Sequence, residues 1–398
     1  DFALARAEPF LTKHHIVFRP GLNEDLAAAA IWGAQQLELY PGAKYDGVFG
    51  MWYGKGPGVD RTGDAFVHAN AAGSGRHGGV LVIAGDDHAA RTTTTPHQSE
   101  IFFSAAGIPS LNPASVQDYL DLGVHGFAMS RYSGLWIGFT SVCDNIESSA
   151  SVYVDPHRVQ VRLPDDFAMP DGGLNIRWPD AGPEQERRSK EERLAAVLAY
   201  VRANGLDQTI IESPRPRFGI VTSGKAYGDV MEALEILGID DAESEAIGLK
   251  LYRVAMTWPL EPSGIAAFAD GLEEILVVEE KRPVIEEQIK EQLYNWPESR
   301  RPQVVGKYAG KGNWEGRLDD WLLPSVSELS PAKIARVIAG RIGRFHQSEA
   351  IKRGLAHLEA REETQKRLRE TPIEIGSDAL FSKGRLPYFC SGCPHNTS

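Results

Sequence analysis

Cysteine is scarce in this sequence, with three in 398 residues, and two of them, Cys390 and Cys393, stand together near its end. So few thiols cannot frame a disulfide-stapled fold, so a reducing compartment is expected. The start of the sequence shows no signal-peptide pattern, and a cytoplasmic setting is the expectation. Long apolar runs are missing too: none reaches the roughly 18 to 20 residues that a helix needs to cross a bilayer. Positive charge is in deficit. Lys and Arg number 42 against 54 Asp and Glu, a formal net charge of -12. That balance disfavours nucleic acid and anionic membrane as partners, because both are drawn by positive potential. What remains is a globular composition, 42% hydrophobic and 24% charged with 40 Gly and 24 Pro, long enough for two or three domains.

Strand and helix signals alternate along the chain. Asn23-Glu24-Asp25 precedes the apolar run 26–32 and reads as a helix entry with acidic residues at its positive end. The run 79–84, ending in Gly85-Asp86-Asp87, predicts a buried strand of a parallel sheet, whose carboxyl end is where open α/β sheets place ligands. Asn112-Pro113 and Ser115 open a short helix over 116–122. Residues 152–154 and 159–163 alternate as short extended strands would, and 164–182, rich in Pro, Gly and Asp, reads as a linker. A helix follows over 191–203. Strands are then predicted at 218–222, 249–254 and 276–278, with a helix over 227–237 stopped by Gly238. This succession favours a parallel sheet with right-handed crossovers. Ser330-Pro331 starts a helix whose apolar face is Ile334, Val337 and Ile338, and the charged run 346–369 reads as a solvated helix or strut. The fold class is α/β.

Four groups of residues suggest chemistry. Gly54, Lys55, Gly56, Gly58 and Arg61 form either an anion-binding loop or a tight structural turn; the spacing is neither that of a Walker A loop nor of a dinucleotide fingerprint. Arg76 and His77 precede the buried strand, whereas Asp86, Asp87 and His88 come after it. That acidic pair suits a metal, a helix cap or a pairing with Arg91. Glu24 is a cap or first-turn carboxylate, unless burial against a heteroaromatic nitrogen lets it share a proton. Cys390-Ser-Gly-Cys393 places two thiolates within reach of one metal centre, and zinc, an iron–sulfur cluster, a redox dithiol or a pair without a ligand all fit. Cys143, after an apolar stretch, is expected to be a buried structural thiol, and Trp52, Phe66 and Trp136 to be core rings.

The runs HHIVFRPGLNEDLAAAAIWGAQQ, MWYGKGPGVDRTGDAFVHANAAGSGRHGGVLVIAGDDH, AMSRYSGLWIGF and YFCSGCPH, with GIVTSGKAYGDV and MTWPLEP, resemble the large fused indolepyruvate ferredoxin oxidoreductases. These are grouped with the pyruvate and 2-oxoglutarate ferredoxin oxidoreductases. The resemblance implies a thiamine-diphosphate-binding fold with a pyrimidine-binding domain at 1–165, a linker and helix at 166–209, and a transketolase C-terminal-like α/β domain at 210–325. A helical connector at 326–384 and the start of a diphosphate-binding domain at 385–398 come next, so the sequence is expected to be a piece of a longer polypeptide. It implies oxidative decarboxylation of an aryl or branched 2-oxoacid to its acyl-CoA, with coenzyme A as co-substrate and ferredoxin as acceptor. The cofactors implied are thiamine diphosphate, Mg2+ and a [4Fe-4S] cluster, the partners the rest of the fused polypeptide and a second copy in a homo-oligomer. By the same resemblance Glu24 is the carboxylate that meets the aminopyrimidine ring, and Gly54, Lys55 and Gly56 are cofactor contacts. Cys390 and Cys393 are two cluster ligands, with the remaining cluster and Mg2+ ligands outside this chain. Arg61, Arg76, Arg131 and His88 are candidates for binding the substrate. A non-oxidative thiamine-diphosphate decarboxylase or carboligase, a non-catalytic piece of a larger assembly, and a zinc-binding structural protein are the alternatives.

Overall fold

The computed structural model describes residues 2–309 and 321–370; Cys390, Cys393 and the expected 385–398 segment lie outside them. Ten strands make two five-stranded sheets among the described residues: β1 (Phe49–Lys55), β2 (Gly79–Asp86), β3 (Ser110–Leu111), β4 (Ile137–Val142), β5 (Gln208–Ile211), β6 (Phe218–Ser223), β7 (Leu249–Val254), β8 (Met256–Trp258), β9 (Glu274–Val278) and β10 (Gln303–Val305). The first sheet has the order β1-β2-β4-β3-β8, parallel except for β8, and the second β10-β9-β6-β7-β5, parallel except for β5.

The sequence explains which strands are central. In β4 every side chain is buried, and β2 is nearly so, as expected of parallel strands covered on both faces. The edge strand β1 alternates, with Phe49, Met51 and Tyr53 exposed and Gly50 and Trp52 buried. One face of the first sheet packs Leu81, Ile137 and Phe139 against Leu122, Met129, Val197 and Tyr200 of the helices Val116–Ser133 and Leu194–Asn204. The other face holds an aromatic core in which Phe66 of the helix Gly63–Ala72 meets Trp52, Phe103 and Trp136. The second sheet is sandwiched by the helices Gly224–Ile236 and Pro331–Ile342 on one side and Pro262–Ala269 and Ile285–Leu293 on the other.

The helix starts arise from local chemistry. Asn23 accepts from the Leu26 amide at 3.0 Å, Ser115 from Asp118 at 3.2 Å and Ser330 from Lys333 at 3.5 Å, each satisfying an amide that the first turn leaves orphaned. Gly238 stops its helix at a φ of 66°. The long charged helix Glu349–Glu370 is anchored by Ile351 and Leu358, which are buried.

Three expectations are corrected. Residues 152–154 and 159–163 form no strand. Their backbone is held by side chains of neighbouring helices: Gln117 brackets Tyr153, accepting from its amide at 2.8 Å and donating to its carbonyl at 3.2 Å, and Asn204 does the same for Arg162 at 2.8 and 2.9 Å. The alternation there reflects a coil lying along a helix, not a ladder. Cys143 is half-buried, at the start of a short helix after β4. The short strand β8, from a stretch that reads as part of the second unit, completes the edge of the first sheet, pairing Ser110 with Trp258.

Polar side chains tie β8 into the first sheet and also join the two sheets. Glu100, on the helix Ser99–Ala105, accepts from Thr257 Oγ1 at 2.8 Å and Asn112 Nδ2 at 3.2 Å, and Lys281 donates to the His88 carbonyl at 2.8 Å. No helix among the described residues is long and apolar enough to cross a membrane. Phe66, fully buried among four aromatic rings, provides the test of this core. Phe66→Ala is expected to lower the unfolding free energy by about 3–5 kcal/mol, read as a fall in the denaturant midpoint with an unchanged slope.

Candidate active site at the carboxyl rim of the first sheet

Glu24 is the first residue of the helix Glu24–Gln35 and its carbonyl is pinned by Trp52 Nε1 at 2.9 Å. The indole comes from β1, so the edge strand fixes where this helix begins. The Glu24 carboxylate lies against Gly58, in the short helix Gly56–Arg61 directly after β1. A Cβ at Gly58 would fall 2.7 Å from Glu24 Cγ. The side chain is 19% exposed, and its Oε2 is enclosed without a hydrogen-bond partner. The nearest cation is Arg61, whose Nε lies 4.0 Å from that oxygen and 3.0 Å from Asp25 Oδ1. An enclosed carboxylate oxygen lacking a donor costs free energy unless something supplies one.

The glycines around it clear space for other side chains. A Cβ at Gly54 would strike the Trp52 ring at 2.6 Å, and one at Gly56 would run into the His97 ring. Lys55 turns away and donates to the Thr92 carbonyl at 3.1 Å. Gly54 packs on Trp52 and Gly56 on His97, and Gly58 is the glycine of the segment that lies against Glu24.

The acidic pair at the end of β2 is absorbed by structure. Asp87 gathers the 91–93 turn, accepting from the amides of Arg91, Thr92 and Thr93 at 2.8, 2.6 and 3.0 Å. Burial raises its pKa, but these bonds outweigh burial and hold it below the usual carboxylate value. The Arg91 side chain pairs with Asp144 and Glu328. Asp86 accepts from Ser99 N at 2.8 Å and Ser99 Oγ at 2.6 Å, and it also receives His97, whose other ring nitrogen reaches Asp60. No group of three or more His, Cys, Asp or Glu side chains among the described residues is arranged to hold a metal ion.

The four substrate-binding candidates do not converge. Arg61 stands beside Glu24. Arg76 and Arg131 lie at the opposite rim, before β2 begins: both are exposed, and Arg131 donates to the Arg76 carbonyl at 3.3 Å and overlies the Phe49 ring at 5.9 Å. With eight residues in β2, the two rims are on the order of 25 Å apart. His88 lines a cavity of about 20 Å3 between the sheets, with Glu100, Asn112, Thr140, Ser223, Lys225 and Glu279 around it. That volume holds roughly one water. Glu100 there has its pKa raised, because burial outweighs the bonds from Thr257 and Gln98. Burial likewise raises Glu279 to about 7, against the pull of Lys307 and the three amides it caps.

Sequence reasoning missed Trp52 as the anchor of Glu24, and the row Asp60, His97 and Asp86. His97 stands in a run of threonines with no periodicity, so nothing local marked it.

Residues 207–368 match the sequence profile of the indolepyruvate ferredoxin oxidoreductase middle domain. The chain resembles the indolepyruvate oxidoreductases. It is 24% identical over 386 residues to the indolepyruvate oxidoreductase subunit IorA of Methanothermobacter marburgensis, covering 96% of this chain and 52% of that protein. To the same subunit of Pyrococcus abyssi it is 23% identical, covering 89% and 49%. The chain thus spans about half the length of the curated indolepyruvate oxidoreductase subunits it matches. Among solved structures, the 2-oxoglutarate:ferredoxin oxidoreductase from Magnetococcus marinus, with 2-oxoglutarate, coenzyme A and succinyl-CoA bound, superimposes with a TM-score of 0.52 at 15% identity. The match covers 83% of this chain and 58% of that one. The α/β architecture expected from the sequence is thus the fold of a 2-oxoacid:ferredoxin oxidoreductase.

The fit of Gly58 against Glu24 can be tested directly. Gly58→Ala is expected to displace the Glu24 side chain and to cost about 1–3 kcal/mol of stability by overpacking, while Gly33→Ala, where nothing stands within 4 Å, is neutral or stabilising. Thermal unfolding of the two variants side by side measures the difference.

Proposed function

We propose that this chain is part of an indolepyruvate-type 2-oxoacid:ferredoxin oxidoreductase and that Glu24 is its proton-carrying carboxylate. The observation that supports this is the enclosed, unpartnered Oε2 of Glu24 on the rim where α/β sheets gather ligands. A protonated or proton-sharing nitrogen of a heteroaromatic ring is the kind of donor that oxygen lacks, and the aminopyrimidine of thiamine diphosphate offers one. When bound, thiamine diphosphate supplies the electron sink for decarboxylating a 2-oxoacid.

The chain's own residues have definable tasks in this reading. Trp52 fixes the start of the Glu24 helix, so the carboxylate has one position. Gly58 leaves the carboxylate room, and the Glu24 Oε2 holds or takes up the ring-nitrogen proton. Arg61, paired with Asp25 at 3.0 Å and 41% exposed on its side chain, is the one candidate of the four that stands beside Glu24 and is assigned the substrate carboxylate. The segment 1–165 serves as the pyrimidine-binding domain and 210–325 as the transketolase C-terminal-like domain. Cys390 and Cys393 are assigned as two ligands of a [4Fe-4S] cluster; Mg2+ and the remaining cluster ligands are supplied by the rest of the longer polypeptide. The overall reaction is oxidative decarboxylation of an aryl or branched 2-oxoacid to its acyl-CoA, with coenzyme A consumed, ferredoxin reduced and a cytoplasmic homo-oligomer as the working form.

The decisive measurement is reduction of ferredoxin or a viologen dye by indolepyruvate and coenzyme A, using the longer polypeptide purified without oxygen. Glu24→Gln is expected to lower turnover by at least about 100-fold, the usual minimum for loss of a positioned acid–base group, with the fold intact by circular dichroism. Full turnover in that variant overturns the assignment of Glu24. Protein that contains thiamine diphosphate but neither iron nor sulfide returns the reading to a non-oxidative decarboxylase.

A further inference from the structure

The helix Gly56–Arg61 carries Gly58, packed against the Glu24 side chain, and Arg61, 4.0 Å from its carboxylate; Val59 seats one side of it in the core, and the end nearest Gly56 is held by polar contacts. The helix has six residues, and its N-cap Lys55 makes no capping bond. A segment this short does not persist without tertiary contacts. We propose that His97 is the positioning residue of this site: as an imidazolium it clamps the helix Gly56–Arg61 to the carboxyl end of β2, and so fixes Gly58 and Arg61 against the Glu24 carboxylate. The consequence for function rests on the proposed role of Glu24; the clamp itself does not.

The geometry is that of a two-ended bridge. His97 Nε2 lies 2.9 Å from Asp60 Oδ1, on the short helix, and Nδ1 lies 3.2 Å from Asp86 Oδ1, at the end of β2. Two carboxylates on opposite ring nitrogens require two N–H donors, which only the cationic ring has. The Asp86 end is rigid, since its side chain is fully buried and accepts two further bonds from Ser99. The His97 amide donates to the Asp87 carbonyl at 3.2 Å, so the backbone of the clamp is tied to the same rim. The ring also packs flush beneath Gly56, where a Cβ would collide with it. Bond and contact together set the height and the rotation of the helix.

Charge agrees with this geometry. Burial by itself lowers the His97 pKa, but the hydrogen bonds and charges of Asp86 and Asp60 outweigh it and raise the pKa to about 9. The charged groups facing the ring are those two carboxylates, from the helix and from β2; Ser99 Oγ, at 3.3 Å, and Gly56 are neutral. A histidine pKa raised on folding means that the clamp's stabilisation is complete below about 6.5 and is lost as pH rises through about 9. The site should therefore hold its shape across the neutral range and loosen in alkali.

Amide hydrogen exchange tests the clamp without any assay of catalysis. In His97→Gln the amides of 56–62 that have helical acceptors, those of residues 59–62, are expected to exchange about tenfold faster or more at pH 7, the loss of one charge-assisted bond, while those of 80–84 in β2 are unchanged. Asp60→Asn, at an exposed position that leaves Asp86 paired, gives the same result should the first variant fold poorly. Glu24→Gln leaves the exchange of 59–62 as in the wild type. An NMR titration of the histidine rings, with His97→Gln assigning the resonance, is expected to show one ring titrating near 9 in the wild type. In the longer polypeptide His97→Gln raises the thiamine diphosphate concentration needed for half-maximal turnover several-fold. Equal protection of 59–62 in wild type, His97→Gln and Asp60→Asn, or a His97 ring that titrates near the ordinary value of about 6.5, overturns the proposal. Loosened amides together with full turnover in Glu24→Gln would leave the clamp standing and remove the role of Glu24.

Discussion

A single buried carboxylate organises the rim on which the candidate site is built. Asp86, at the end of β2, accepts from the amide and hydroxyl of Ser99 and from His97. It therefore starts the helix Ser99–Ala105 and ties down the ring beneath Gly56 in one arrangement. A charge shut away from water persists only when its lone pairs are filled, and the groups that fill them come from the loop that directly follows β2, which folds back over the strand end. Glu100, the neighbour of Ser99, then turns toward Thr257 and Asn112 and ties this rim to β8, the strand that a later part of the chain adds to the first sheet.

The elements whose residues point one way were legible in the sequence. The run from Gly79 to Asp86 is apolar, bounded by glycine and charge, and it is a central parallel strand. Asn23, Ser115 and Ser330 announce helices because a side-chain oxygen two or three residues ahead of an orphan amide is a local fact. Local facts end there. Residues 152–163 carry the alternation of a strand, yet Gln117 and Asn204 satisfy their backbone before any strand can. The same limit applies to the glycines around Lys55. Their spacing carries no sign of what packs on them: Trp52 on Gly54, His97 on Gly56 and Glu24 on Gly58.

Of the candidate site, Glu24 was legible as a helix-start carboxylate, and the Trp52 indole that pins its carbonyl was not. Sequence places Arg61, Arg76 and Arg131 on an equal footing, since each offers the bidentate cation that a 2-oxoacid carboxylate calls for. The height of the sheet separates them: a strand as long as β2 puts its two flanking segments at opposite rims. His88 lies just past the end of β2 and still misses the Glu24 corner, because the chain there turns toward the second sheet and closes over a space fit for a water. No motif records that turn.

The stitching of Met256–Trp258 into the first sheet has a consequence for how the chain can be made and cut. During synthesis β3 emerges long before the segment that will cover its edge, so the first sheet waits, with open backbone donors and acceptors, until much of the second half has left the ribosome. Any expression boundary drawn between the two sheets would make that interval permanent. The two halves are thus separate in layer and core but share one unbroken order of assembly.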